Sequence, residues 1–179
     1  MPKKKTQKRE SDNMLQQTSL KSICEGNMIL RPWFKSGIQA IKSEYRARLK
    51  FPDTKDCGGS IDFDEALKST YSQENRWDYG IEYDKNLIYI EFHPAKMSEI
   101  PCIIKKVDFI RKWTADKCPE LNLLPKFEKH DRQFYWIASG KSSLAILPNS
   151  KYAKQLALKH IAPIGTIFDY AKLNDNPSR

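Results

Sequence analysis

The chain has 179 residues and a mass of 20.9 kDa, which fits one domain with a short tail and excludes two domains of ordinary size. Its 31 Lys and Arg residues outnumber 22 Asp and Glu residues, and residues 1 to 10 supply four of the nine net positive charges. A basic body with a basic arm favours an anionic partner, because each Lys or Arg placed on a phosphate releases counterions. We therefore expect nucleic acid as the partner, with DNA favoured over RNA.

The sequence also excludes several classes of protein. No run of about 18 apolar residues occurs, and no apolar segment follows the N-terminal basic run, so neither a membrane span nor a secretion signal is predicted. The four cysteines form no CxxC or CxxH pair, which favours reduced thiols over a zinc site of familiar spacing. We expect a disordered basic arm at residues 1–15 and a single domain at 16–179, located in the cytoplasm, or in the nucleus of a eukaryote.

The first half of the chain predicts two helices and a hairpin. Apolar residues at steps of three and four predict a helix over residues 33–50, and residues 51–60, with a proline and two glycines, break it. Residues 62–71 predict a second helix that Asp62 can cap. From residue 77 to 83 and again from 87 to 92 the pattern becomes strand-like, with a tight turn at Asp84 and Lys85 or one residue later.

The second half predicts a helix, a buried strand and a final helix. Residues 98–116 carry a buried apolar stripe, and Ser98 can cap that helix. Residues 133–139 contain an unbroken apolar run, as a parallel strand after a crossover helix should. Residues 142–150 are a candidate short strand, and residues 150–161 a final helix. The order predicts an α/β domain with a small mixed β-sheet flanked by helices.

The hairpin places acidic residues in apolar strands. A turn at Asp84 and Lys85 puts Asp78 opposite Glu91, whereas a turn one residue later puts Asp78 opposite His93 with Glu91 on the diagonal. A three-residue loop separates the acids onto opposite faces. Close carboxylates repel each other unless one is protonated or a cation lies between them, and oxygen ligands suit Mg²⁺ or Mn²⁺. The alternative is a solvated hairpin whose acids simply face water.

The stretch "WDYGIEYDKNLIYIEFHPA", residues 77–95, resembles the signature hairpin of the PD-(D/E)xK nuclease superfamily, especially its restriction-endonuclease-like and Holliday-junction resolvase-like members. That signature is an Asp, about a dozen residues, and then Glu-x-Lys at the end of a strand. The resemblance covers roughly residues 33–140, and the following helix and buried strand come in the family's order. It implies a restriction-endonuclease-like core and a magnesium-dependent endonuclease. His93 stands where the family has its lysine.

The resemblance also implies roles for individual residues. Asp78 and Glu91 correspond to the ligands of Mg²⁺ or Mn²⁺, and a helical glutamate, Glu65 in preference to Glu44, completes the metal shell. The missing lysine leaves three possibilities open: His93 does its work, a lysine from the next segment reaches in, or the site is inactive. The lysines considered for that role are Lys96, Lys105 and Lys106, of which Lys105 is the catalytic candidate. The lysines expected to contact nucleic acid are Lys3, Lys4, Lys5, Lys96, Lys106 and Lys141.

Two other polar residues are weaker candidates. Gln133 on the following strand is a weaker candidate for contact with the substrate. Pro52 and Asp53 have the same residue types as the Pro-Asp pair of the family motif. Asp53 lies 38 positions before Glu91, next to a pair of glycines, which makes Asp78 the better metal-binding candidate.

Three functions compete on this sequence. The first is metal-dependent phosphodiester hydrolysis of nucleic acid. The second is a non-catalytic nucleic-acid-binding module with a degenerate nuclease fold, whose binding is salt-sensitive and indifferent to EDTA. The third is a protein-interaction protein that uses exposed aromatic residues. By analogy with the superfamily we expect a homodimer, and a partner ATPase or helicase is compatible with the first function.

Overall fold

The computed structural model describes residues 18–129, 131–140 and 145–174. Within them the chain forms a mixed α/β structure in which helices flank a six-stranded sheet. The predicted arm at residues 1–15 lies outside the described residues, as do Lys3, Lys4, Lys5 and Lys141. None of the helices in the described segments is long and apolar enough to cross a membrane.

Six helices and eight strands make up the described structure. The helices are α1 (Leu20–Gly26), α2 (Ser43–Arg46), α3 (Phe63–Lys68), α4 (Ile100–Lys117), α5 (Lys151–Leu158) and α6 (Tyr170–Asn174). The strands are β1 (Phe34–Lys35), β2 (Leu49–Lys50), β3 (Cys57–Asp62), β4 (Tyr79–Tyr83), β5 (Asn86–His93), β6 (Phe134–Ala138), β7 (Ile161–Ile164) and β8 (Phe168–Asp169). Short 3₁₀ turns occupy Arg31–Trp33, Thr54–Asp56, Met97–Glu99 and Pro119–Leu123.

The main sheet has the order β1-β3-β4-β5-β6-β7. The pairs β1-β3, β3-β4 and β4-β5 are antiparallel, whereas β5-β6 and β6-β7 are parallel. Helix α4 connects β5 to β6, because two parallel neighbours need a crossover. Strands β2 and β8 form a separate parallel pair.

The β4-β5 hairpin has the first of the predicted registers. Asp84 and Lys85 form the turn with φ angles of 47° and 62°, and positive φ at both central residues is what a type I′ turn requires. Ile81 pairs with Ile88 and Tyr79 with Ile90, so the next pair outward brings Asp78 opposite Glu91. Of the loops that the sequence left open, the chain forms the two-residue loop at Asp84 and Lys85.

Each face of the sheet carries its own core. Helix α4 packs its apolar stripe on one face, where the buried residues include Leu87, Tyr89, Ile103, Val107, Ile110 and Trp136. The opposite face is buried by Ile81, Ile88, Ile90, Tyr135, Ile137 and Phe168. Alternation along β5 thus sends Leu87, Tyr89 and Glu91 to the same side as α4. This places Glu91 in the interface between sheet and helix.

The predicted helix over residues 33–50 is wrong. Phe34 and Lys35 instead form the edge strand β1, pairing with Ile61 and Ser60, and only the four residues of α2 are helical. Gly37 follows with a φ of 55°, outside the helical region. The apolar residues of this stretch divide between the two cores instead of forming one helix face: Phe34 packs against the first, and Ile38, Ile41, Tyr45 and Leu49 belong to the second.

Residues 51–60, predicted as a break, contain the start of strand β3, which lies between β1 and β4. A Cβ on Gly59 would overlap the ring of Phe34, so the glycine pair allows a close approach of two strands. The glycine pair predicts a loop, but in the structure it accompanies a β-bulge between Cys57 and Gly59.

The remaining predicted elements agree with the structure except at two places. Helix α3 has Asp62 as its cap, β6 is fully buried and parallel to β5, and Ser150 caps α5. Ser98, however, lies within a 3₁₀ turn, and Glu99 is the residue before α4. The candidate strand at 142–150 has no strand in its described part, residues 145–150, and the partner of β6 is β7 instead.

Candidate active site and its neighbouring histidine

Asp78 and Glu91 form a reciprocal pair across the base of the hairpin. Glu91 Oε2 accepts a hydrogen bond from the Asp78 amide at 3.0 Å, and Asp78 Oδ2 accepts one from the Phe92 amide at 2.9 Å. The two side chains thus continue the ladder of hydrogen bonds beyond the end of β4. Each carboxylate is fixed through one oxygen, so its other oxygen has a defined direction.

Those second oxygens both face Lys106 on helix α4. Lys106 Nζ lies 3.2 Å from Asp78 Oδ1 and forms an ion pair with Glu91 Oε1. The Lys106 side chain is only 13% exposed and that of Glu91 is completely buried. The position of Lys106 follows from helix geometry, because it lies one turn before Ile110 and three residues after Ile103, beside the stripe that packs on the sheet.

The three groups share their charge unevenly. Burial and then the adjacent Glu91 raise the pKa of Asp78 to about 8, against the opposing effects of Lys106 and the Phe92 amide. Burial alone lowers the pKa of Lys106, but the attraction of Glu91 and Asp78 outweighs it and holds that pKa above its ordinary value. Near neutral pH Asp78 therefore holds a proton, and a divalent cation bound between the two carboxyl groups would displace it.

His93 extends the same cluster at the end of β5. Its Nδ1 lies 3.5 Å from Glu91 Oε1, and its Nε2 lies 2.8 Å from Glu99 Oε2. Hydrogen bonding to Glu91 raises the pKa of His93; burial opposes the rise and Glu99 adds to it. Cys102, in the first turn of α4, lies near Glu99 and His93. His93 thus connects the Asp78-Glu91 pair to the half-exposed residues Glu99 and Cys102.

The structure separates the candidate lysines. Lys106 contacts both carboxylates, whereas the adjacent Lys105 is exposed and lines a neighbouring cleft with Tyr71 and Trp113. Lys96 is also exposed, at the residue before the 3₁₀ turn Met97–Glu99. Of Lys96, Lys105 and Lys106, Lys106 is the one that reaches the acids.

The remaining acidic candidates lie elsewhere. Glu65 on α3 pairs with Lys68, at 3.2 Å, and Glu44 is exposed on α2. Asp53 uses Oδ1 to accept the Lys55 amide at 2.9 Å, which makes it a cap of a 3₁₀ turn. Gln133 Nε2 donates to Glu128 Oε2 at 3.0 Å, just before β6 begins.

Two residues of this region, Glu99 and Cys102, were missed by sequence reasoning. Glu99 and Cys102 follow His93 by six and nine residues. They are three residues apart at the start of α4, which puts them on the same side of the helix. The sequence signal for this cluster is the pattern His-x5-Glu-x2-Cys. It spans a strand end, a proline and a helix start, so local periodicity does not show that the three residues meet.

No family model, curated protein or solved structure matches this chain.

Proposed function

We propose that the chain is a metal-dependent nuclease that hydrolyses phosphodiester bonds in nucleic acid. The observation that carries the proposal is the convergence of Asp78 Oδ1 and Glu91 Oε1 on one cationic group, Lys106 Nζ. Their other oxygens are held by backbone amides, so the free oxygens are aimed in advance. Two preorganised carboxylate oxygens at a partly open sheet end are typical of a divalent-cation site.

The donor set fits Mg²⁺ or Mn²⁺. Asp78 Oδ1 and Glu91 Oε1 are carboxyl oxygens, which these hard cations prefer, and metal binding would release the proton that the raised pKa leaves on Asp78. When bound, such an ion supplies a more acidic water and neutralises charge on the phosphate. Asp78 and Glu91 would hold it, and the amides of Asp78 and Phe92 would keep their carboxylates in place.

In this proposal Lys106 supplies the positive charge that PD-(D/E)xK nucleases obtain from the lysine of their motif, at whose position this chain has His93. Its ammonium already lies beside both acids, so it would stay close to an ion that they hold. Its positive charge would there help to stabilise the developing negative charge of the transition state. His93 stays hydrogen-bonded to Glu91 and orients that carboxylate, so the lysine supplies the charge and the histidine the alignment.

The order of the core supports the same interpretation. An antiparallel β3-β4-β5 meander, the crossover helix α4 and the parallel strand β6 follow one another, with the acids at the β4-β5 hairpin. This is the order of hairpin, helix and buried strand on which the resemblance to PD-(D/E)xK nucleases rests.

A neighbouring cleft lies next to the carboxylate site. It has a volume of about 500 Å³, and three lysines, Lys105, Lys112 and Lys117, line it together with three acids, Glu74, Asp108 and Asp116. Asn75, which also lines it, lies 3.3 Å from Cys102, and Cys102 is one helical turn before Lys106. Because Lys112 is paired with Asp116 and Trp113 is buried, the cleft is of mixed charge and adds no support for a nucleic-acid partner.

The test is a cleavage assay on branched, single-stranded and duplex DNA with Mg²⁺ or Mn²⁺. We expect cleavage by the wild-type chain and its loss with EDTA or in Glu91→Gln, whose amide oxygen can still accept the Asp78 amide. Glu82→Gln is the matched control: Glu82 is also a buried carboxylate of this hairpin, but it accepts the Leu20 amide at the start of α1. That variant should cleave normally.

Two outcomes would contradict the proposal. Cleavage that persists in Glu91→Gln would show that the activity does not use these acids. Salt-sensitive DNA binding in EDTA, with no cleavage of any substrate in either metal, would favour the non-catalytic binding module instead.

A further inference from the structure

His93, Glu99 and Cys102 form a second cluster of potential metal ligands beside the carboxylate pair. The ring nitrogens, carboxylate oxygens and thiol of these residues offer one atom each, and the three atoms lie within 4.8 Å of one another. It is the one such group of His, Cys, Asp and Glu residues found among residues 18–129, 131–140 and 145–174. A cluster of this composition is distinct from the oxygen pair of Asp78 and Glu91.

The local fold brings the three residues together over a short stretch of chain. His93 ends strand β5, Pro94 breaks the ladder, and the 3₁₀ turn Met97–Glu99 leads into α4, where Cys102 lies three residues after Glu99. The strand end and the helix start are both anchored in the core, through Phe92 and Ile103. The ligand atoms are therefore held by rigid elements, as a binding site requires.

The orientation of the His93 ring favours coordination through Nε2. Nδ1 faces Glu91 Oε1 at 3.5 Å, and Nε2 faces Glu99 at 2.8 Å. A carboxylate on one ring nitrogen fixes the proton there and leaves the other nitrogen as the ligand, an arrangement that is general for metal-bound histidines. Glu91 thus orients His93 while its own ionic partner is Lys106.

The donor types select the metal. A thiolate and an imidazole with one carboxylate suit Zn²⁺ and similar transition metals, whereas Mg²⁺ and Ca²⁺ prefer oxygen alone. The His93 and Glu99 side chains are 20% and 31% exposed, so the cluster opens to water on one side. Three protein ligands with an open fourth position are characteristic of zinc sites that bind a water or a substrate group.

We propose that His93, Glu99 and Cys102 bind a Zn²⁺-class transition-metal ion at the junction of β5 and α4. The site does not depend on the nuclease proposal, because none of its three ligand residues is a proposed Mg²⁺ ligand; the two sites meet only at Glu91 Oε1, which faces His93 Nδ1. Its position has a structural consequence: Cys102 is one helical turn before Lys106, so the ion ties the end of the strand that carries Glu91 to the helix that carries Lys106.

The test is titration of the reduced full-length protein with Co²⁺, which reports a thiolate ligand by a charge-transfer absorption band in the near ultraviolet. We expect the band in the wild-type protein and its displacement by Zn²⁺. Cys102→Ser should lose the band and weaken Zn²⁺ binding by at least about tenfold, the lower end of the effect of residues that merely orient a ligand. Cys57→Ser, at another half-buried thiol, is the matched control and should keep both.

A second measurement on the wild-type protein avoids any folding defect of a variant. Zn²⁺ should protect Cys102 from alkylation, as followed by peptide mass spectrometry, while the labelling of Cys57 stays unchanged. Asp78→Asn should keep the cobalt band, since it removes a nuclease ligand only. A band that survives in Cys102→Ser, the absence of any band in the wild-type protein, or unprotected Cys102 with Zn²⁺ present would each overturn the proposal.

Discussion

Lys106 and Glu91 form an ion pair across the interface between α4 and β5, and the glutamate side chain is completely buried. A buried charge pair recovers the cost of desolvation only when its geometry is good and the remaining polar atoms are paired. Here Glu91 Oε2 receives the Asp78 amide, and Oε1 also faces His93, so the carboxylate is well satisfied. The pair is therefore sensitive to the loss of either partner.

Lys106→Met should destabilise the protein by roughly 3 kcal/mol, because it leaves two buried carboxylates without their cation. Partial protonation of Asp78, whose pKa is already raised, limits the loss. The variant should regain stability when Mn²⁺ is added, as followed by thermal unfolding with and without the ion, and it should lose cleavage activity. Lys105→Met, one residue away and exposed, should change neither the stability nor the Mn²⁺ affinity of the carboxylate site.

Asp78→Asn and Asp78→Ala separate charge from hydrogen bonding. The amide oxygen of Asn can still accept the Phe92 amide, so Asp78→Asn should stay folded yet lose Mn²⁺ binding in isothermal titration. Asp78→Ala should also cost about 1 kcal/mol of stability, because a cross-strand hydrogen bond is lost. Unchanged Mn²⁺ affinity in Asp78→Asn would argue against a metal role for this carboxylate.

Asp62 should make stability depend on pH. Burial raises its pKa to about 6, although the Glu65 amide donates to it at the start of α3. The folded state then binds more protons than the unfolded state between pH 4 and 6, so this group's contribution to stability falls as the pH rises through that window.

Asp62→Asn should remove that dependence and raise the free energy of unfolding at neutral pH by about 1 to 3 kcal/mol, since Asn keeps the capping hydrogen bond. Denaturant unfolding at pH 4 and pH 7 measures the difference. Asp62→Ala also removes the charge but loses the capping hydrogen bond, so its free energy of unfolding should rise by about 1 kcal/mol less than that of Asp62→Asn. Parallel stability curves for the wild type and Asp62→Asn across the window would contradict the expectation.

Gly80 should not tolerate a methyl group. It lies in β4 on the side of Asp78 and Glu82, and a Cβ there would meet the ring of Phe63 at 2.8 Å and Ile61 Cγ2 at 3.2 Å. Gly80→Ala should therefore destabilise the protein by about 1 to 3 kcal/mol in thermal or denaturant unfolding. Gly140→Ala, where no atom lies within 4 Å of the added carbon, is the control and should be nearly neutral. Equal stability of the two variants would mean that the core beside Phe63 yields easily.

Local pattern was a good guide to the hairpin and a poor one to the N-terminal third. Alternation predicted both strands but left three possible loops, and the turn that forms at Asp84 and Lys85 selects the register with Asp78 opposite Glu91. The apolar spacing of residues 33–50 suggested a helix, yet Phe34 is held in an edge strand by its pairing with Ile61. Pairing with a distant strand is invisible to a window of neighbouring residues.

By itself the sequence determined the mixed α/β class, the hairpin and its acids, the crossover helix α4 and the buried parallel strand β6. Each of these depends on local periodicity, caps and turns. Only the tertiary structure decided which lysine accompanies the acids, because Lys105 and Lys106 are neighbours in sequence and the rotation of α4 on the sheet turns just one of them inward. The same packing brought Glu99 and Cys102 to His93, since the angle between a strand end and a helix start is set by the core beneath them.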